Sequence, residues 1–345
     1  MPPSGWLLGR LTGFADGFAF LTLLLSFVAV PCLDFWVGPD TANPDPAEEA
    51  VLERDPWYRW LPFVAFPACL ALVIWGGWVF SHETYGWAGR VGHVLSVGAA
   101  MGIVGITAAH ELVHKAERLD QRVGGWLLAL VCYGGFKVEH VRGHHVYVST
   151  PEDRSSAWLG QSVYRFLPRA LCGNFLAAWR LEATRLRGTR RPLLSLHNEM
   201  LRLWGLSAAL CAGFGLAFGW AGVAFFLAQS LVAVTELEIV NYIEHYGLRR
   251  RRLANGRWER TSPRHSWNAP WLLTNLFLFQ LQRHSDHHAE ARRRYSALRH
   301  HDDAPMLPAG YPAMMLLALA PPLWFRVMNP RVHAWYGDKP AGARG

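Results

Sequence analysis

Residues 91–114 read VGHVLSVGAAMGIVGITAAHELVH. From Val91 to Ala109 the segment carries no Asp, Glu, Lys or Arg. A hydrocarbon core of about 30 Å is crossed by a helix of roughly 20 such residues. The apolar run ends at His110, and His114 follows one helical turn later, so both imidazoles emerge on one helix face. Ionisable groups at a membrane boundary are costly and mark function. This stretch therefore predicts an all-α, multi-span integral membrane protein whose chemistry sits where its helices leave the bilayer.

Four more apolar runs have spanning length: Gly13–Leu33, Leu61–Phe80, Leu201–Phe218 and Trp220–Val240. The last two read as a hairpin turning at Gly219–Gly222. Trp126–Phe136 and Trp271–Leu281 are too short to span and read as interfacial or re-entrant segments. Ala313–Val327 is interrupted by Pro321 and Pro322 and reads as a surface-lying helix. Composition agrees with one membrane domain over residues 1–345: hydrophobic residues make up 51% and charged residues only 17%, against about 25% charged in soluble domains. The net charge is +8, but the arginines lie between apolar spans. That is the positive-inside pattern of a membrane protein and not a nucleic-acid surface. None of the five cysteines forms a CxxC pair, and no glycine-rich dinucleotide fingerprint follows a strand-like run. No in-chain iron–sulfur, flavin or haem group is expected. The first apolar run leads on without a cleavage site, so no signal peptide is expected.

The polar segments 110–200 and 241–303 hold the rest of the histidines that cluster. His140-Val-Arg-Gly-His144-His145 repeats the one-turn spacing of His110 and His114. His284-Ser-Asp-His287-His288 sets three rings on one face, and His245 stands in Asn241-Tyr-Ile-Glu-His245-Tyr-Gly. Three such faces converging can hold two metal ions. Imidazole suits iron, copper, zinc or nickel alike, so ligand type alone leaves the metal open. His82, His93, His197, His265, His300, His301 and His333 stand alone and read as surface or satisfied core residues. Metal-bound histidines commonly donate their second N–H to a carboxylate, and Glu111, Glu139, Glu244 and Asp286 are the acids beside the boxes. His110-Glu111-x-x-His114 also matches the zinc-protease pattern. That chemistry needs only one further ligand and leaves the other clustered histidines unexplained.

The boxes resemble those of the membrane fatty-acid desaturases and hydroxylases. NYIEHYGL (241–248), LQRHSDHHA (281–289), EHVRGHHVYVSTPED (139–153), GQSVYRF (160–166) and HSWN (265–268) are similar to the alkane 1-monooxygenase family. The resemblance runs from about Pro31 to Tyr336. It implies a non-haem di-iron site held by His110, His114, His140, His144, His145, His245, His284, His287 and His288. It also implies dioxygen as oxidant and rubredoxin, reduced by an NADH-dependent rubredoxin reductase, as electron donor. The implied substrate is the terminal methyl of an alkane, at the bacterial inner membrane with the site toward the cytoplasm. A desaturase or an aryl-methyl hydroxylase is the nearer rival, and His245 in its own box speaks for the hydroxylase side. The family has six spans, and the first has no counterpart among the five read here. Counting back three spans from His110 puts the N-terminus on the face opposite the boxes. Ser26, a small residue on the first span, is a candidate lining residue of a substrate tunnel. The arginine runs 249–252 and 292–294 read either as a dock for an acidic electron carrier or as contacts to anionic lipid.

Overall fold

A computed structural model describes residues 1–337. The described residues are helical, with three isolated bridges and no strand. Three helices are long and apolar enough to cross a membrane: α3 (Pro56–His82), α4 (Trp87–Val113) and α8 (Glu199–His245). Before them come α1 (Pro2–Thr12) and α2 (Leu21–Val37). Between α4 and α8 lie α5 (Arg118–Ala129), α6 (Gly135–Glu139) and α7 (Val163–Gly188). After α8 follow α9 (Leu272–Phe277), α10 (His284–Ala289), α11 (Tyr311–Ala318) and α12 (Pro321–Tyr336).

Local chemistry sets the ends of these helices. Asp55 caps α3 by accepting from the Trp57 N–H, with Pro56 in the first turn where no N–H is needed. Asn198 caps α8 by accepting from the Leu201 N–H. At about 1.5 Å per residue, α8 would be far longer than a bilayer is thick. Gly219 resolves this: its φ of 65° and ψ of −158° reverse the chain, so α8 is two antiparallel helices. Glycines elsewhere let the helices close up, as small residues do in membranes where no hydrophobic force pulls helices together. Gly98 lies against Val232 and the Gln229 carbonyl, and Gly76 lies against Phe225.

The run expected as one span over 13–33 is divided. α1 ends at Gly13, in the left-handed conformation, and a short turn of helix at Ala15–Phe18 precedes α2. Asp16 accepts the Gly86 N–H and Arg10 pairs with Glu83, which ties this bend to the α3–α4 turn. Asp16, polar inside the apolar run, thus finds its partner outside the run, at the α3–α4 turn. α1 then runs back along the bundle, and Met1 lies beside Ser26 instead of on the face opposite the boxes. Residues 311–336 are not a surface helix either. α11 and α12 meet at 119° across Leu319–Ala320, and Tyr311, Met314, Trp324 and Met328 are buried against Tyr242 and Tyr246. The prolines break the helix, but its apolar face packs inward. Trp126–Phe136 forms the end of α5 and its turn, and Leu127 and Leu128 are fully buried against α4.

Candidate metal centre

The nine clustered histidines come from four places in the fold. His110 and His114 stand at the C-terminal end of α4, and His245 is the last residue of α8. His284, His287 and His288 fill α10, a helix of six residues. α6 continues through a π turn at His140–His144 into a short helix at His145–Tyr147. The structure gathers the rings into two groups: His110, His114, His140, His145 and His287 in one, His144, His245, His284 and His288 in the other. Within each group one ring nitrogen per histidine lies within 4.8 Å of every other.

The division is not the one that the spacing predicts. One-turn spacing pairs His140 with His144, but the structure pairs His140 with His145. A π turn repeats over about five residues instead of four, so positions 140 and 145 share a face and His144 points to the neighbouring group. α10 divides its rings in the α-helical way. His284 and His288, four apart, join one group, and His287 joins the other.

Ring nitrogens approach each other closely. His140 and His145 Nε2 are 3.2 Å apart, His145 and His287 Nε2 3.1 Å, His245 and His284 Nε2 3.2 Å, and His284 and His288 Nε2 3.0 Å. Nitrogens bound at about 2.1 Å to one cation lie about 3 Å apart along the edges of its coordination shell. His110 Nε2, His114 Nε2 and His144 Nε2 are buried with no protein partner. Burial first, and the charge of neighbouring rings second, hold His114, His140, His145, His284, His287 and His288 well below the usual imidazole range. They are therefore neutral, the form that binds a metal. The donor set fits two cations held by nitrogen.

The acids named from the sequence divide differently from expectation. Glu244 reaches His284 Nε2 at 3.2 Å, on the side that faces the other rings, so it looks into the site and not behind it. Glu111 turns to Lys115 Nζ at 2.8 Å. Asp286 is taken by Arg293 and by His301 Nε2 at 2.8 Å. Glu139 is buried but makes no hydrogen bond to a clustered histidine. The residue that does support a ring is Asp153, whose carboxylate sits 3.0 Å from His144 Nδ1 and accepts from the Ser156 hydroxyl. Burial alone would raise the Asp153 carboxyl; the charge and hydrogen bond of His144 and the bond from Ser156 outweigh it and hold it below its usual range. It lies nine positions beyond His144, and no local period links them, so spacing could not single it out. Among the lone histidines, His93 is a satisfied core residue that bonds the Gly76 carbonyl at 2.9 Å, and His265 pairs with Glu259.

An apolar cavity leads from the rings into the helical bundle. His110, His140 and His284 line its upper end, and Ser26 and Ile103 its lower end. α4 contributes Gly102, Ile103, Ile106, Thr107 and His110, and α8 contributes Glu236, Leu237, Val240, Asn241 and Glu244. Each set is a single stripe along its helix. Ser26, expected on a tunnel wall, lines this cavity.

Residues 85–318 match the family model described as fatty acid desaturase. A Pseudomonas aeruginosa protein named alkane 1-monooxygenase 2 is 56% identical over 97% of this chain and 89% of its own length. The same organism's alkane 1-monooxygenase 1 is 54% identical over 93% of this chain and 85% of its own length. Alkane 1-monooxygenase 2 of Alcanivorax borkumensis is 48% identical over 97% and 88%. With the desaturase-type match covering the histidine segments and these identities running almost end to end, the chain belongs to the alkane 1-monooxygenase family of membrane hydroxylases.

Proposed function

We propose that this protein hydroxylates the terminal methyl of medium- or long-chain alkanes, using dioxygen and electrons from rubredoxin, at a site of two iron ions held by the nine histidines. The carrying observation is the junction of two features: two groups of buried imidazoles and an apolar cavity that opens onto them. Bound iron would supply the activation of dioxygen that organic side chains cannot. His110, His114, His140, His145 and His287 would hold one ion, and His144, His245, His284 and His288 the other. Asp153 fixes the His144 ring by accepting from its Nδ1–H, which leaves Nε2 for the metal. Glu244 stands at the junction of cavity and rings, where it could hold a proton or a coordination position.

The cavity walls do the positioning. An alkane offers no polar handle, so its orientation rests on the shape of the stripe between α4 and α8. A chain with one end against His110 and His284 extends down toward Ile103 and Ser26. One methylene changes binding in such a pocket by only about 1–3 kcal/mol, so a range of chain lengths is accepted. The bundle keeps bulk water from the reacting end.

Arginines favour a cytoplasmic placement of the histidine end. Arg250 and Arg293 are tied down, Arg250 to the Val146 and Glu259 carbonyls and Arg293 to Asp286 and Glu49. Arg252, whose Nε donates to the Gly256 carbonyl, and Arg292 are exposed and present their charge to an acidic electron carrier. The test is turnover by the purified protein with rubredoxin, its reductase, NADH and octane or hexadecane. Formation of 1-alkanol supports the reading. An alkene would assign a desaturase instead, and a preparation holding one zinc per chain would assign hydrolysis.

A further inference from the structure

Glu236 has no place in the reaction described above. It lies on α8 eight residues before Glu244, on the cavity stripe, and Gly102 of α4 faces it. Among the described residues its Oε2 is buried without a hydrogen-bond partner and no salt bridge reaches it. A side chain on residue 102 would overlap Glu236 Oε2, so the glycine makes room for the carboxyl. Gly102 also lies in the π turn Met101–Ile106 of α4, an irregularity typical of functional sites. An unpartnered carboxyl in an apolar cavity is unfavourable. An alkane gains nothing from it.

We infer that Glu236 is a recognition group for the hydroxyl of a medium-chain primary alcohol, which it seats with the opposite methyl at the histidines. The inference rests on the terminal-hydroxylase reading above. In either protonation state a carboxyl oxygen accepts a hydrogen bond from an O–H. Geometry sets the chain length. Gly102 to His110 and Glu236 to Glu244 are each eight residues, or about 12 Å of helix. Carbon–carbon bonds of about 1.52 Å at about 111° advance an extended chain by about 1.25 Å per carbon. A chain of about ten carbons therefore reaches from the carboxyl to the rings. The reaction consumes one dioxygen, two electrons from the same external donor and two protons. The terminal C–H bond breaks, a C–O bond forms with one oxygen atom, and the other oxygen leaves as water. The product is a 1,ω-diol, so this enzyme would follow its own first hydroxylation once the alcohol re-enters with its ends exchanged.

The experiment compares 1,ω-diol formed from 1-hexanol, 1-decanol and 1-hexadecanol with 1-octanol formed from octane, in one reconstituted preparation. The wild type should give diol, with an optimum near 1-decanol. Glu236→Leu should lower the ratio of diol from 1-decanol to octanol from octane by about tenfold, the weight of one net hydrogen bond. Glu236→Gln, which keeps an acceptor, should recover most of the ratio. Gly102→Ala, which crowds the carboxyl, should lower it. A ratio unmoved by Glu236→Leu, diol formation indifferent to chain length, or oxidation of 1-decanol only at its hydroxyl carbon would overturn the inference while leaving octane hydroxylation standing. A wild-type preparation inactive on octane would overturn the hydroxylase reading itself.

Discussion

Asp153 shows how a single residue outside the histidine set holds one of the clustered rings in place. Its carboxylate fixes the His144 ring, and loss of such a partner typically costs 10–100-fold in metal affinity. Asp153→Ala should therefore lose metal during dialysis against a chelator that leaves the wild type loaded. Unchanged metal content by elemental analysis would show that Ser156 and packing suffice. Glu182 acts in the same way on the fold. Buried on α7, it accepts from Arg185 and from the Glu199 N–H at the start of α8 and pairs with Arg142. Burial alone would raise its carboxyl, but the Arg185 hydrogen bond, the Glu199 N–H and the two arginine charges pull it down to about 2. The unfolded chain titrates at about 4.3. The stabilisation from Glu182 is thus complete above that pH and is lost as pH falls toward 2. Glu182→Gln should lower the melting temperature at pH 7, and the gap to wild type should shrink below pH 4. A gap that stays constant with pH would assign the effect to packing.

Two elements carry the geometry. The π turn at His140–His144 sends His145 with His140 and His144 across to the second group. A regular helix there would keep His140 and His144 on one face and turn His145 away from His140. The α8 hairpin brings Glu199, beside Lys137 and Arg142, and His245 to the same end of the bundle. Its turn depends on Gly219, whose φ and ψ lie in a region essentially closed to residues with a Cβ. Nothing lies within 4 Å of a Cβ placed there, so the cost of Gly219→Ala is backbone strain alone, about 1–3 kcal/mol. Thermal unfolding in detergent should record this loss with metal content intact. A neutral substitution would mean that the turn adopts another conformation.

At the scale of the molecule, every histidine box lies at one end of the helical bundle, and the exposed Arg252 and Arg292 lie in the same polar segments. If an acidic carrier docks there, kcat/KM for the carrier should fall steeply between about 0.05 and 0.3 M salt, because screening shortens the reach of exposed charge to about 10 Å or less. KM for octane should not follow it. Arg252→Glu with Arg292→Glu should flatten the salt dependence. A carrier KM independent of salt would return these arginines to lipid contact.

The histidines that gather were legible in the sequence because most of them recur in boxes at helical spacing. The long apolar helices α3, α4 and α8 were legible because a bilayer demands length and apolarity, which a window of the chain displays. The sequence by itself thus determined an all-α membrane protein, its hairpin at Gly219 and the rings that meet. Which ring joins which group was decided by a backbone irregularity that leaves no compositional trace. The choice of Asp153 over Glu111, Glu139 and Asp286 was decided by long-range packing, since Lys115, Arg293 and His301 compete for two of those acids. The break of the first apolar run at Asp16 was decided by a partner 70 residues away, the Gly86 N–H. The cavity, too, exists only where stripes of α4 and α8 face each other, because a hollow is a property of several elements and of none alone.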